Sequence, residues 1–187
     1  MLVCSCGYHL QDSAYEEEMR RTISIPYIKG DVRGQLTNEI IRQLSYSGRY
    51  EYIREGGSLL LKVAVVSDGT SKIGYRYDRK NHSCKRTNHL QPTEARREIT
   101  VELTLIDEAS MMEIIKPTLV RGTSEYDFVG THSLCDLSFI QGGRRVTVES
   151  FSLGQLDSVE GAQDDALLPL YRDLAEKIVN GLEWISC

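Results

Sequence analysis

The sequence predicts an α+β two-layer sandwich, with two helices packed on one face of a mixed, largely antiparallel sheet. Three observations predict it. Leu36, Ile40 and Leu44 recur every fourth residue, and so form one apolar stripe on a helix. Leu167, Leu170, Tyr171, Leu174, Ile178, Leu182 and Ile185 show the same spacing near the end. Between them Ile99, Val101, Leu103 and Leu105 alternate with Thr100, Glu102 and Thr104, the pattern of a strand with one buried and one wet face. Helices and sheet that each carry a single apolar face are buried most economically as two layers.

The elements follow in order. Thr22 to Ile28 alternates polar and apolar residues, which reads as a strand. Pro26 has no N–H, so that strand lies at an edge or near its own end. Asp31 is placed to cap a helix over about residues 32–46, and Ser47-Gly48 is a natural stop because glycine tolerates the left-handed conformation. If that helix joins parallel neighbouring strands, its crossover is expected to be right-handed. Tyr50 to Ile53 is a short strand. Leu59 to Val66 is a central strand, and Asp68-Gly69 reads as a turn. Ile73, Tyr75 and Tyr77 alternate with Lys72, Gly74 and Arg76, and the polar stretch from Asp78 to Arg96 reads as a loop. After the clean strand at Ile99–Leu105, Asp107-Glu108-Ala109-Ser110 turns the chain. Met112 to Phe128 is extended and interrupted at Pro117.

Residues 129–163 fit two readings. Leu137 to Ile140 and Arg145 to Phe151, joined through Gln141-Gly142-Gly143-Arg144, form either an extra hairpin or a long loop. Asp164 or Asp165 is expected to cap the last helix, with Pro169 in its first turn, where proline is tolerated. The domain organisation expected is a linker over 1–21 and one α+β domain over 22–187, with 129–163 as a possible insertion.

Bulk properties narrow the function. The chain has 187 residues and a formal net charge of -5, which argues against a general nucleic-acid binder, whose surface must offset phosphate charge. No apolar run approaches the ~20 residues of a spanning helix. The five cysteines, Cys4, Cys6, Cys84, Cys135 and Cys187, are an odd number for a closed disulfide framework. They contain no C-x-x-C pair, so no zinc site is expected. The four histidines, His9, His82, His89 and His132, make no ligand-like spacing; His82 and His89 lie near Cys84 as ordinary solvated residues. G-x-S-x-G, S-x-x-K, H-E-x-x-H and a phosphate-binding glycine loop are all missing from the sequence, and nothing forces two carboxylates together for acid–base work. No catalytic residue, metal or cofactor is assigned.

Cys6-Gly7-Tyr8-His9-Leu10 resembles the start of mature lipopolysaccharide-assembly lipoproteins of the LptE family, in which a lipidated cysteine precedes Gly, an aromatic, His and Leu. Val3 and Ser5 suit a lipoprotein cleavage site, and Met1 to Ser5 reads as the tail of an export signal. The resemblance continues in Ile23–Ile28 leading to Leu36–Ile40, in Tyr75-Arg76-Tyr77, in Arg97–Val101 and in Leu174–Ile178. It implies a diacylglycerol and an N-acyl chain on Cys6, attachment to the periplasmic side of the outer membrane, and a non-enzymatic role as plug of the LptD β-barrel and partner of lipopolysaccharide.

An anionic ligand calls for a locally basic site. From Arg76 to Arg97 the sequence carries Arg76, Arg79, Lys80, Lys85, Arg86, Arg96 and Arg97 against Asp78 and Glu94. By the resemblance, Arg76 and Arg79 lie where the family places a basic strand-end contact; Lys80, Lys85 and Arg86 complete the expected lipopolysaccharide contacts. A second basic contact before the last helix is not matched, because Asp157, Glu160, Asp164 and Asp165 occupy that approach. The alternatives are another periplasmic lipoprotein of similar architecture, such as a peptidoglycan-synthase activator, and a small cytosolic enzyme with a coincidental start.

Overall fold

In a computed structural model of the chain, residues 21–79, 85–128, 138–147 and 159–185 are described. They form β1 (Arg21–Ser24), α1 (Gln35–Ser47), β2 (Tyr50–Tyr52), β3 (Leu59–Arg79), β4 (Arg86–Asp107), β5 (Met112–Asp127), β6 (Ser138–Gln141), β7 (Arg144–Thr147), α2 (Val159–Asp165) and α3 (Leu167–Ile185). A five-stranded sheet has the order β2-β1-β3-β4-β5, and β6 and β7 make a separate hairpin. β1 is parallel to β2 and β3, and the other pairings are antiparallel. The architecture is the expected α+β arrangement of two principal helices over a mixed sheet, with the short α2 added ahead of α3.

The predicted apolar stripes are the core. Leu36, Ile40 and Leu44 of α1 and Leu170, Leu174, Ile178 and Leu182 of α3 meet Leu59, Leu61, Val63, Ile99, Val101, Leu103 and Leu105 of the sheet, all buried. β1 stops at Ser24, two residues before Pro26, so the proline takes no donor from the ladder. α1 begins later than predicted, with Gly34 at its N-cap. Asp31 still serves its start from a distance: its Oδ2 accepts from the Thr37 N–H and from Thr37 Oγ1, both at 2.8 Å. Gly48 closes α1 at φ 69°, as a left-handed C-cap requires.

Two expectations about β3 and β4 are corrected. Asp68-Gly69 is not a turn: it lies inside β3, paired with Ile99 and Glu98. The Asp78–Arg96 stretch is not mainly a loop, because β4 begins at Arg86 and pairs back with β3 as far as Arg79. The reason is a bulge. Val65 pairs with Val101 and Ser67 with Thr100, leaving Val66 extra. The added residue reverses which β3 side chains face the helices. Asp68 and Thr70 thereby join the helix-covered face, where Arg97 awaits them. Pro92 lies in β4 beyond the residues that β5 pairs with, and beside the register shift at Gly74–Tyr75, where the ladder is already irregular.

β5 is an edge strand. Its extra residues opposite Leu103–Ile106 give a bulge around Pro117, which suits proline at an edge. Farther along, α3 covers the open edge. Asp173 Oδ2 accepts from the Thr123 N–H at 3.3 Å, and Lys177 Nζ donates to the Arg121 carbonyl at 3.0 Å. An acid and a base one helical turn apart thus occupy groups that a foreign strand would bind. Asp173→Ala with Lys177→Ala is expected to cost only ~0.5–1.5 kcal/mol of stability, because the groups are exposed. It is also expected to raise self-association, measured by sedimentation velocity; an unchanged monomer fraction would refute the capping role.

The 138–147 segment is the hairpin of the two readings offered for it, turned at Gly142 and Gly143 with φ 58° and 76°, the values a type I′ turn needs. Asp164 and Asp165 do not cap α3: they end α2, and the Ala166 N–H bonds back to the Ala162 carbonyl at 3.1 Å, which continues the helical course into α3.

Candidate functional site: the basic ribbon

β3 and β4 continue past β5 as a two-stranded ribbon. Beyond the Glu94–Asp127 pair the described residues place no third strand beside β4. Gly74–Arg79 at about 3.3 Å per residue gives the ribbon roughly 20 Å of reach.

The root of the ribbon is fixed by Arg97. Its Nε and Nη2 donate to the two carboxylate oxygens of Asp68 at 3.0 and 2.7 Å, and its Nη1 donates to the Gln163 carbonyl at 3.3 Å. That carbonyl is in the last turn of α2, where the helix has unpaired acceptors and favours a cation. Gln163 Nε2 adds a bond to Thr70 Oγ1 at 3.3 Å. Nearby, burial pushes the Tyr171 phenol above its ordinary value, and the Asp31 carboxylate adds to the rise. The Asp68 partner pushes the Arg97 guanidinium up as well, so Arg97 remains a cation at any accessible pH. Arg97→Ala is expected to cost about 1–3 kcal/mol, since it strips partners from a carboxylate and a helix-end carbonyl. Urea unfolding measures this, and a loss below the error of the midpoint would refute it.

At the other end the ribbon gathers the expected basic residues. Arg76 and Arg86 are exposed on β3 and β4, and Lys85 is exposed just before β4. Arg79 ends β3 with its backbone opposite Arg86. Arg86 lies over the ring of Tyr77, 5.7 Å from its centroid. The outer part of the ribbon therefore carries Lys85 and Arg86 at its end and Arg76 farther back, on the face opposite Arg86. Lys80 and the proposed anchor Cys6 lie outside the described residues, as do the other four cysteines. Arg96 and Arg97 do not join the tip: Arg96 pairs with Glu125 and Arg97 with Asp68. On the acidic approach to α3, Asp164 pairs with Arg33 at 3.6 Å.

Sequence reading missed an apolar row on the same ribbon. Tyr75 pairs with Pro92 and Tyr77 with Leu90. The alternation of Tyr75 with Tyr77 was visible, but their partners sat in the stretch read as a loop. Among the described residues no group of three or more His, Cys, Asp or Glu side chains converges as a metal site. No described helix is long and apolar enough to cross a membrane.

Fold and site together define a two-layer α+β protein that extends a basic, aromatic ribbon from its sheet. The chain belongs to the LptE family, described as lipopolysaccharide-assembly, whose family model matches residues 20–182. Among solved structures, it is similar to the minor lipoprotein of Acinetobacter baumannii at 12% identity and a TM-score of 0.46, covering 86% of this chain and 88% of that one. It is similar to rare lipoprotein B of Shewanella oneidensis at 10% identity and a TM-score of 0.46, covering 88% and 96%. A candidate lipoprotein of Caulobacter crescentus CB15 matches at 14% identity and a TM-score of 0.49, covering 92% and 97%. No curated protein matches the sequence.

Proposed function

We propose that this protein is a lipid-anchored, non-enzymatic component of lipopolysaccharide transport, held on the periplasmic side of the outer membrane through Cys6. In this reading it plugs an LptD-type β-barrel and touches lipopolysaccharide with its basic ribbon. The observation that carries the reading is the projecting ribbon, whose outer part exposes Arg76, Lys85 and Arg86 in a chain of net charge -5. Lipopolysaccharide phosphates are the kind of ligand that guanidinium groups hold through charge-assisted, often paired hydrogen bonds. Family membership supports the same assignment. Arg79 and Lys80 belong to the proposed contact by their place in the sequence. Acyl chains on Cys6 would hold the protein at the membrane: each buried CH₂ contributes about 0.8 kcal/mol, and more than one chain is needed for stable anchoring.

Metabolic labelling with a fatty-acid analogue tests the anchor. Wild type is expected to take label and Cys6→Ser to take none; label retained on Cys6→Ser would refute it. Arg76→Glu with Arg86→Glu is expected to weaken lipopolysaccharide binding roughly tenfold or more. Both side chains are exposed, so the melting temperature is expected to stay close to wild type. Co-purification of a large β-barrel tests the partner; an anchored protein that brings none down fits a peptidoglycan-synthase activator instead.

A further inference from the structure

The ribbon has a second chemistry beside its charge. Tyr75 and Tyr77 are two residues apart on β3, and their register partners Pro92 and Leu90 are two apart on β4. Register partners in an antiparallel pair project from one face, about 5 Å apart across the strands, and successive pairs follow about 7 Å along them. These four side chains therefore form one apolar plaque. It is open: Tyr75 is 57%, Tyr77 45% and Leu90 51% exposed. The Tyr75 hydroxyl donates to the Lys72 carbonyl at 3.3 Å, so its polar end is occupied locally and its ring is offered outward. Arg86 lies over Tyr77 on this same face, which sets a cation at the rim of the plaque. Arg76 pairs with Gln91, between the two apolar pairs in sequence, and so projects from the opposite face.

An apolar plaque rimmed by a guanidinium matches a ligand that joins hydrocarbon to phosphate. Tyrosine suits such a boundary, since its ring is apolar and its hydroxyl stays wet. Cross-strand pairing alone also stabilises a bare ribbon, but that role needs no cation held over a ring and no exposed leucine. Resting on the lipopolysaccharide reading above, we propose that the face formed by Tyr75, Tyr77, Leu90 and Pro92 receives the acyl chains of lipopolysaccharide, with Arg86 taking a phosphate beside them. The contact makes the ribbon a reader of the lipid part of the molecule, not only of its charge.

The test compares binding of the full chain to lipopolysaccharide and to the same lipopolysaccharide stripped of its acyl chains by alkali. Wild type is expected to bind the acylated form about tenfold more tightly or better. Tyr75→Ser with Tyr77→Ser and Leu90→Ser is expected to erase that preference, so that the two forms bind alike. Equal wild-type affinity for both forms overturns the inference, as does a triple variant that keeps the preference. The wild-type comparison decides the matter even if the triple variant does not fold, and Leu90→Asn alone gives a milder check with a partial loss expected. Phosphatidylglycerol vesicles that compete as well as lipopolysaccharide would overturn the assignment to lipopolysaccharide. Failure of wild type to bind either form would overturn the lipopolysaccharide reading as well, so the two failures are distinguishable.

Discussion

Gly57→Val, at a buried position, is expected to lower stability by more than about 3 kcal/mol. β2 and β3 are both parallel to β1 and lie on its opposite sides. Tyr52, the end of β2, is level with Ile23, and so is Leu59, the start of β3. The connection therefore crosses β1 in residues 53–58 without returning along the sheet. Gly57 is the point of closest approach. A Cβ there would stand 2.8 Å from the Ser24 nitrogen, and 3.0 Å from both the Ile23 carbonyl carbon and the Leu59 oxygen. All three are backbone atoms of the parallel β1–β3 junction, so no rotamer change relieves the contact. The strands must part, and the two bonds that Ser58 donates to Thr22 beside the crossing, N–H to Oγ1 and Oγ to the carbonyl, both 2.9 Å, would go with them. A folded chain of this size has about 5–15 kcal/mol in total, so the variant sits near the limit of folding. The matched control is Gly69→Ala, where an added Cβ meets nothing within 4 Å and a change within about 1 kcal/mol is expected. Urea midpoints for the two variants decide it: equal small losses would show that the crossing is not tight.

The parts of the fold that sequence disclosed are those where one face is dry and the other wet. Ile99, Val101, Leu103 and Leu105 are all buried, and strict alternation announced them because α1 and α3 cover one side only. The same holds for Leu36, Ile40 and Leu44. The ribbon was half hidden for the converse reason. From Thr87 to Gln91 no described helix imposes an apolar face, so a strand there carries Thr, Asn, His and Gln around the single Leu90 and looks like a loop. Its pairing is set by the partners Tyr75, Tyr77 and Arg76, a long-range relation that period alone does not reveal. Asp68-Gly69 misled because the bulge at Val66 and the ion pair with Arg97 lie outside any local window. The basic residues of the candidate site were legible as a cluster from composition. Their gathering on one projecting ribbon depends on the register of β3 against β4, and the apolar plaque beside them depends on it entirely.

The second large effect is expected at the contact of α3 with the edge strand, where two positions must be read together. Gly122 pairs with Ile99 on the covered face of the sheet. A Cβ on Gly122 would come within 2.5 Å of Leu174 Cγ, 3.0 Å of its Cδ2 and 3.3 Å of the Leu170 carbonyl oxygen. Gly122→Ala should therefore push α3 off β5 and cost about 1–3 kcal/mol by overpacking. Leu174 is fully buried at 0% exposure, so Leu174→Ala should cost about 2–5 kcal/mol through lost burial and a cavity. The two losses are not independent. Leu174→Ala removes both atoms that the new methyl would strike, and the methyl in turn fills part of the space vacated. The double variant is accordingly expected to be more stable than the sum of the single losses predicts, by about 1–2 kcal/mol, within the range found for residues in contact. Denaturant unfolding of the four proteins gives the coupling. Strict additivity would mean that α3 does not rest on Gly122.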